Sequence, residues 1–201
     1  MKLLCLSDIH IDRNSHSLIR ELLPEFISFL NEYEADEVLI SGDISTGYQN
    51  SISILNKLTA QVNKKIYFIP GNHDLYAGKE SFWKAYHSLK NHPSCISNEI
   101  IPLNNEFVLV GDVGWYDYSL GTHTYDLAVY ENQKKRLWCD NKYSNFPSSD
   151  RETVNFFYHN GENNLKRYST IRLSFAITLF LGNISLSIKR MMRSGIFSLV
   201  F

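Results

Sequence analysis

The chain has 201 residues, 44% of them hydrophobic and 13% aromatic, enough to bury a core and to exclude disorder over most of its length. Its 20 Lys+Arg against 21 Asp+Glu leave a formal charge of −1, which argues against a nucleic-acid-coating protein and against an acidic tail. Cys5, Cys95 and Cys139 stand far apart with no CxxC pair, and Met1 to Ser7 is too short an apolar run before Asp8 for a signal peptide. Neither a disulfide framework nor a thiolate zinc site is indicated, and the cytoplasm is the expected compartment.

Lys2 to Leu6 predicts a short strand, and Ser17 to Tyr33 carries Leu18, Leu22, Phe26, Phe29 and Leu30 at helical spacing. Pro24 lies inside that pattern as a point of kinking or splitting. Glu37 to Ser41 predicts a buried strand closed by Gly42-Asp43, and Ile52, Ile54, Leu55, Leu58 and Val62 predict a helix. Lys65 to Ile69 is a third strand, stopped by Pro70-Gly71, and Lys79 to Leu89 a further helix. Apolar strands separated by amphipathic helices imply an α/β fold with a parallel sheet, right-handed crossovers and helices on the sheet faces. Ligands of such sheets bind beyond the carboxyl ends of the strands. Asp8-Ile9-His10, Gly42-Asp43 and Gly71-Asn72-His73-Asp74 each follow a strand, so they converge at one rim. Beyond Glu106, Phe107 to Val110 is a strand that opens a second layer. Asp150 to Tyr168 predicts a helix opened by Ser149 or Asp150 and interrupted at Gly161.

Asp8 and His10 alternate on an extended segment, which turns both side chains to one side, as two ligands of one metal require. The carboxylate of Asp43 has two oxygens able to bridge two cations. Asn72 offers a neutral carbonyl oxygen, and His73 a nitrogen ligand or a proton donor. Oxygen and nitrogen donors without thiolate suit Mn²⁺, Fe or Zn²⁺. Two such cations about 3.5–4 Å apart clamp phosphoryl oxygens and lower the pKa of a bridging water, while a protonated histidine supplies the leaving alkoxide with its proton.

The three motifs, in this order and each after a strand, resemble the opening motifs of the calcineurin-like metallophosphoesterases over about the first 160 residues. The resemblance implies a two-sheet β-sandwich flanked by helices, with its C-terminal part incomplete. It implies hydrolysis of a phosphate mono- or diester by metal-bound hydroxide, and two divalent metals of the Mn, Fe or Zn type. Asp8 and His10 would hold the first metal, Asp43 would bridge, and Asn72 would hold the second. His73 would protonate the leaving group, with Asp74 orienting it. Gly114 to Ser119 resembles a segment of bacterial members. The family also supplies a later metal-binding histidine and a Gly-His-x-His pair. No Gly-His-x-His occurs here, and His87, His92, His123 and His159 are carried over as ligands in no case. The alternative expectation is therefore an inactive remnant, or a metal-binding module without turnover.

Charge is unevenly spread along the chain. Through Glu162 there are 14 basic and 21 acidic residues; the remaining 39 carry 6 basic and no acidic ones, so the balance flips from −7 to +6. This break divides a phosphoesterase part, residues 1–168, from an atypical tail, residues 169–201. Together with the missing histidine motif, it predicts a reading frame that shifts near Tyr168 and a truncated product. Leu173 to Ile188 is uncharged but, at 16 residues and with Ser174, Thr178, Asn183, Ser185 and Ser187, falls short of the roughly 20 apolar residues of a spanning helix. A membrane-associated role of the basic tail is the third reading.

Overall fold

The computed structural model describes residues 1–18, 21–105, 107–115, 118, 125–145, 148–168 and 175–181. It divides into two compact units, residues 1–95 with 124–147 and residues 96–123 with 148–201. The α/β character expected from the strand and helix patterns is observed.

The first unit is built on three parallel strands, β1 (Leu3–Leu6), β2 (Glu37–Ser41) and β3 (Lys65–Ile69), with β2 in the middle. Cys5 pairs with Leu39, and Leu39 with Tyr67. Val38, Leu39 and Ile40 are wholly buried, and a strand covered on both faces has no reason to alternate. The helices are α1 (Ile11–Leu18), α2 (Leu23–Glu32), α3 (Tyr48–Gln61), α4 (Phe82–Lys90), α5 (Leu127–Leu137) and α6 (Cys139–Tyr143). Leu55 and Leu58 on α3, and Phe82, Ala85, Tyr86 and Leu89 on α4, fill the core at three- and four-residue spacing.

The helix expected over Ser17 to Tyr33 is two helices. Pro24 stands in the first turn of α2, where its missing N–H removes no helical hydrogen bond, and α1 starts directly after His10. The helix expected from Lys79 begins at Phe82, because Ser81 caps it by accepting from the Lys84 N–H at 3.2 Å.

In the second unit, β5 (Phe107–Val113) pairs antiparallel with β4 (Glu99–Pro102) and parallel with β6 (Phe175–Leu181). α7 (Asp150–Tyr168) packs on β5 and runs through Gly161 without the expected interruption. Its start is a reciprocal cap: Ser149 Oγ accepts the Glu152 N–H at 3.3 Å and Glu152 Oε2 accepts the Ser149 N–H at 2.8 Å. Trp115 Nε1 donates to Asp150 Oδ1 at 2.6 Å, and the Tyr118 hydroxyl donates to Asp150 Oδ2. β6 lies within the uncharged stretch of the tail, to which the sequence pattern assigns no element. Residues 116–117, 119–124 and 182–201, which include His123, lie outside the described residues.

Candidate metal centre

The rim is assembled by backbone before any side chain meets another. Gly42 O, Asp43 O and Ile44 O, following β2, accept the N–H groups of Asp8, His10 and Ile11, following β1, at 3.1, 2.9 and 2.9 Å. Gly42, at φ 85°, lies against Gly71; a Cβ on Gly42 would stand 2.8 Å from Gly71 Cα. Asp74 ties the loop after β3 to the loop after β2. It is fully buried, and its Oδ2 accepts from Asp43 N at 2.7 Å and Gly71 N at 2.9 Å. Its Oδ1 accepts from Ile44 N at 3.1 Å, Ser45 N at 3.3 Å and Ser51 Oγ at 2.6 Å. Burial pushes the Asp74 carboxyl up to about 6, and the hydrogen bonds from Ser51 and these backbone donors pull against it.

Three side chains converge on this frame. His10 Nε2 stands 3.6 Å from Asp43 Oδ2, Asp43 Oδ1 accepts the His73 N–H at 3.0 Å, and the two imidazoles meet edge to face with centroids 4.8 Å apart. The potential ligand atoms of His10, Asp43 and His73 all lie within 4.8 Å of one another. Nδ1 of His10 and Nδ1 of His73 are buried with no hydrogen-bond partner among the described residues. Asp8, His10 and Asp43 hold left-handed backbone conformations at φ 54°, 44° and 55°, which are uncommon for residues other than glycine.

Electrostatics act in one direction. Burial first, then the charges of Asp74, Asp8 and Asp140, push the Asp43 carboxyl up to about 7. Burial, Arg13 and then His10 push His73 down to about 4, and burial followed by Arg13 lowers His10. Near pH 7 both imidazoles therefore carry a free lone pair beside the Asp43 carboxyl, whose proton affinity is raised to about 7. Orphaned imidazole nitrogens beside the buried Asp43 carboxyl fit a divalent cation bound by nitrogen and oxygen.

The other residues singled out from the sequence are placed differently. Asp8 is exposed and outside the three-residue group, though its charge is felt at Asp43. The segment holding Asp8 and His10 is not extended as the alternation implies, since β1 ends at Leu6 and both residues turn left-handed. Asn72 is buried, and its Nδ2 donates to Asp140 Oδ1 at 2.7 Å. The donors to Asp74 are backbone groups and Ser51 rather than the His73 ring, so Asp74 shapes the rim. His87 and His159 are exposed on α4 and α7, and His92 is buried in the turn after α4. Asp140 is the site residue that sequence reasoning missed. Only 1% exposed on α6, it also accepts from the Tyr76 hydroxyl at 2.5 Å.

The family model for calcineurin-like phosphoesterases matches residues 1–178. A Bos taurus protein described as a transmembrane protein with metallophosphoesterase domain is 27% identical over 118 residues, which cover 57% of this chain and 24% of that protein. The chain thus spans about a quarter of that relative's length. The crystal structure of TT1561 of Thermus thermophilus aligns with a TM-score of 0.52 at 13% identity, over 93% of this chain and 70% of that one, a likeness of fold. No helix among the described residues is long and apolar enough to cross a membrane.

Proposed function

This chain belongs to the calcineurin-like phosphoesterase family, whose chemistry is phosphoester hydrolysis, and from that premise we propose that it hydrolyses a phosphate mono- or diester at the centre formed by His10, Asp43 and His73. The observation that carries this reading is the convergence of those three ligand-type side chains beyond the carboxyl ends of a parallel sheet. Asp8, His10, Asp43 and Asn72 would hold divalent cations of the Mn, Fe or Zn type. Such cations, when bound, activate water and neutralise charge on the phosphoryl oxygens. His73, in its protonated form, would supply the proton that the leaving alkoxide takes up, and Asp74 positions Asp43 and Gly71 through their N–H groups.

A second role for His73 is favoured by its low proton affinity: a neutral imidazole grouped with His10 and Asp43 serves as a nitrogen ligand. Separate cysteines without a CxxC pair support a cytoplasmic setting. The charge break supports reading residues 169–201 as a distinct, out-of-frame tail, although β6 and the family match extend into its first residues. Translating the DNA beyond the Tyr168 codon in every frame tests that reading, a further histidine and a Gly-His-x-His in another frame being the expected result.

Purified chain supplied with Mn²⁺ is expected to bind the ion and to release 4-nitrophenol from 4-nitrophenyl phosphate or its bis-ester. Asp43→Asn keeps an oxygen for the His73 N–H but removes the carboxylate charge, and should lower turnover by about 10³-fold. Bound metal with no turnover on either ester would identify a metal-binding module. Undiminished turnover in Asp43→Asn would place the centre elsewhere.

A further inference from the structure

We infer that Asp140 is a positioning residue of the metal centre: together with Tyr76 it holds the amide group of Asn72 by its nitrogen, and so presents the carbonyl oxygen for cation binding. The inference rests on the reading above in which Asn72 is a ligand.

The two ends of a carboxamide are nearly alike in shape, so packing alone does not decide which faces a cation; hydrogen bonds do. Only the oxygen can bind a metal, because the amide NH₂ has no free lone pair. Here the nitrogen end is committed. Asn72 Nδ2 donates to Asp140 Oδ1 at 2.7 Å, and the same carboxylate oxygen accepts the Tyr76 hydroxyl at 2.5 Å. Rotating the amide by half a turn would set its oxygen against a carboxylate oxygen in a region where Asp140 is 1% and Asn72 9% exposed. A buried acceptor-only group opposite the nitrogen therefore selects one of the two orientations. Tyr76 restrains the selector in turn, since its ring also lies 4.7 Å from the His73 ring, centroid to centroid. The carboxylate comes from Cys139–Tyr143, a short helix contributing no member of the His10, Asp43 and His73 group. Its charge nevertheless reaches Asp43 and His73. Partners that orient ligands in this way commonly tune metal affinity 10–100-fold.

Mn²⁺ affinity of the full chain, read by titration calorimetry and by the Mn²⁺ spin-resonance signal, tests the inference without reference to turnover. Asp140→Ala is expected to weaken Mn²⁺ binding by about 10–100-fold. Asn72→Asp alone is also expected to weaken it, because two carboxylates would then face each other across the 2.7 Å contact. The exchange variant Asn72→Asp/Asp140→Asn should recover most of the loss. In it the amide at position 140 donates to the carboxylate at position 72, with net charge and volume unchanged. A role limited to packing predicts no such recovery. Tyr76→Phe keeps the ring and removes the hydroxyl, and gives a smaller loss in the same direction, which holds the test open should Asp140→Ala fail to fold. Wild-type affinity in folded Asp140→Ala, or an exchange variant no better than Asn72→Asp, overturns the inference and leaves the proposed centre standing. Absence of Mn²⁺ binding by the wild-type chain overturns the centre itself.

Discussion

His73, at the rim beyond β3, and His92, in the turn after α4, are both imidazoles that burial holds below the ordinary histidine range. Their surroundings differ. His92 Nδ1 accepts the Ser94 N–H at 3.1 Å, which leaves the proton on Nε2, 3.3 Å from Asn56 Oδ1 on α3. Its ring is satisfied at both nitrogens and fastens a turn to a helix. His73 has a buried Nδ1 with no hydrogen-bond partner among the described residues, and lies between the rings of His10 and Tyr76. A depressed proton affinity is therefore common to a structural histidine and to one at the candidate centre. The absent hydrogen-bond partner separates them.

The largest expected effect sharpens that contrast. His73→Gln should lower hydrolysis of an ester with a poor, alkoxide leaving group by about 10²–10⁴-fold, and should affect a 4-nitrophenyl ester far less, because a good leaving group needs no proton. An equal loss on both esters, accompanied by weaker Mn²⁺ binding, would establish His73 as a ligand. His92→Gln should leave both rates unchanged. A comparable loss of turnover in His92→Gln would break the comparison.

Next in size is an effect on the frame that exposes His73 to the centre. A Cβ on Gly71 would meet the carboxylate of Asp43 and come within 2.6 Å of Asp43 N, which is backbone and cannot swing aside. Gly71→Ala should cost about 3 kcal/mol of unfolding free energy and disturb the bond between His73 N and Asp43 Oδ1. Denaturant unfolding of the two proteins measures it, and a midpoint unchanged from wild type would mean that the two loops separate more easily than their packing implies.

This frame is also where the sequence was most legible. Glu37–Ser41 and Lys65–Ile69 appear with the bounds their apolar runs indicate, since a short strand covered on both faces and stopped by Gly or Pro has few other ways to fold. The glycines and acids after each strand likewise mark the rim by local chemistry. Pro24 marked a kink or a split within the helical pattern, and the structure shows the split; the two look alike in sequence without a known helix start. Asp140 left no signal. Its partners Asn72 and Tyr76 lie 68 and 64 residues away, and one acid in a polar helical segment is indistinguishable from a solvated one. The same limit applied to Asp74, for which the resemblance implied orientation of His73, whereas its oxygens accept from the loop after β2, from Gly71 N and from Ser51 Oγ.

The smallest effect isolates the structural histidine. Because the folded chain holds His92 below the ordinary value of 6.5, the unfolded chain binds the proton more readily between the two values. The contribution of His92 to stability is thus complete above that window and is lost as the pH falls through 6.5 toward the lowered value. Asp43 and Asp74, raised to about 7 and about 6, act with the opposite sign, since the folded state binds their protons first. His10 and His73 share the sign of His92. Total stability against pH would blend all five, but the difference between wild type and His92→Gln cancels the four rim groups, which the substitution does not touch. Urea unfolding at about pH 7.5 and about pH 5.5 should show the advantage of wild type over His92→Gln shrinking at the lower pH. An advantage of equal size at both would mean that His92 takes up its proton alike in the folded and the unfolded chain. The two histidines would then differ in their partners and also in their response to acid.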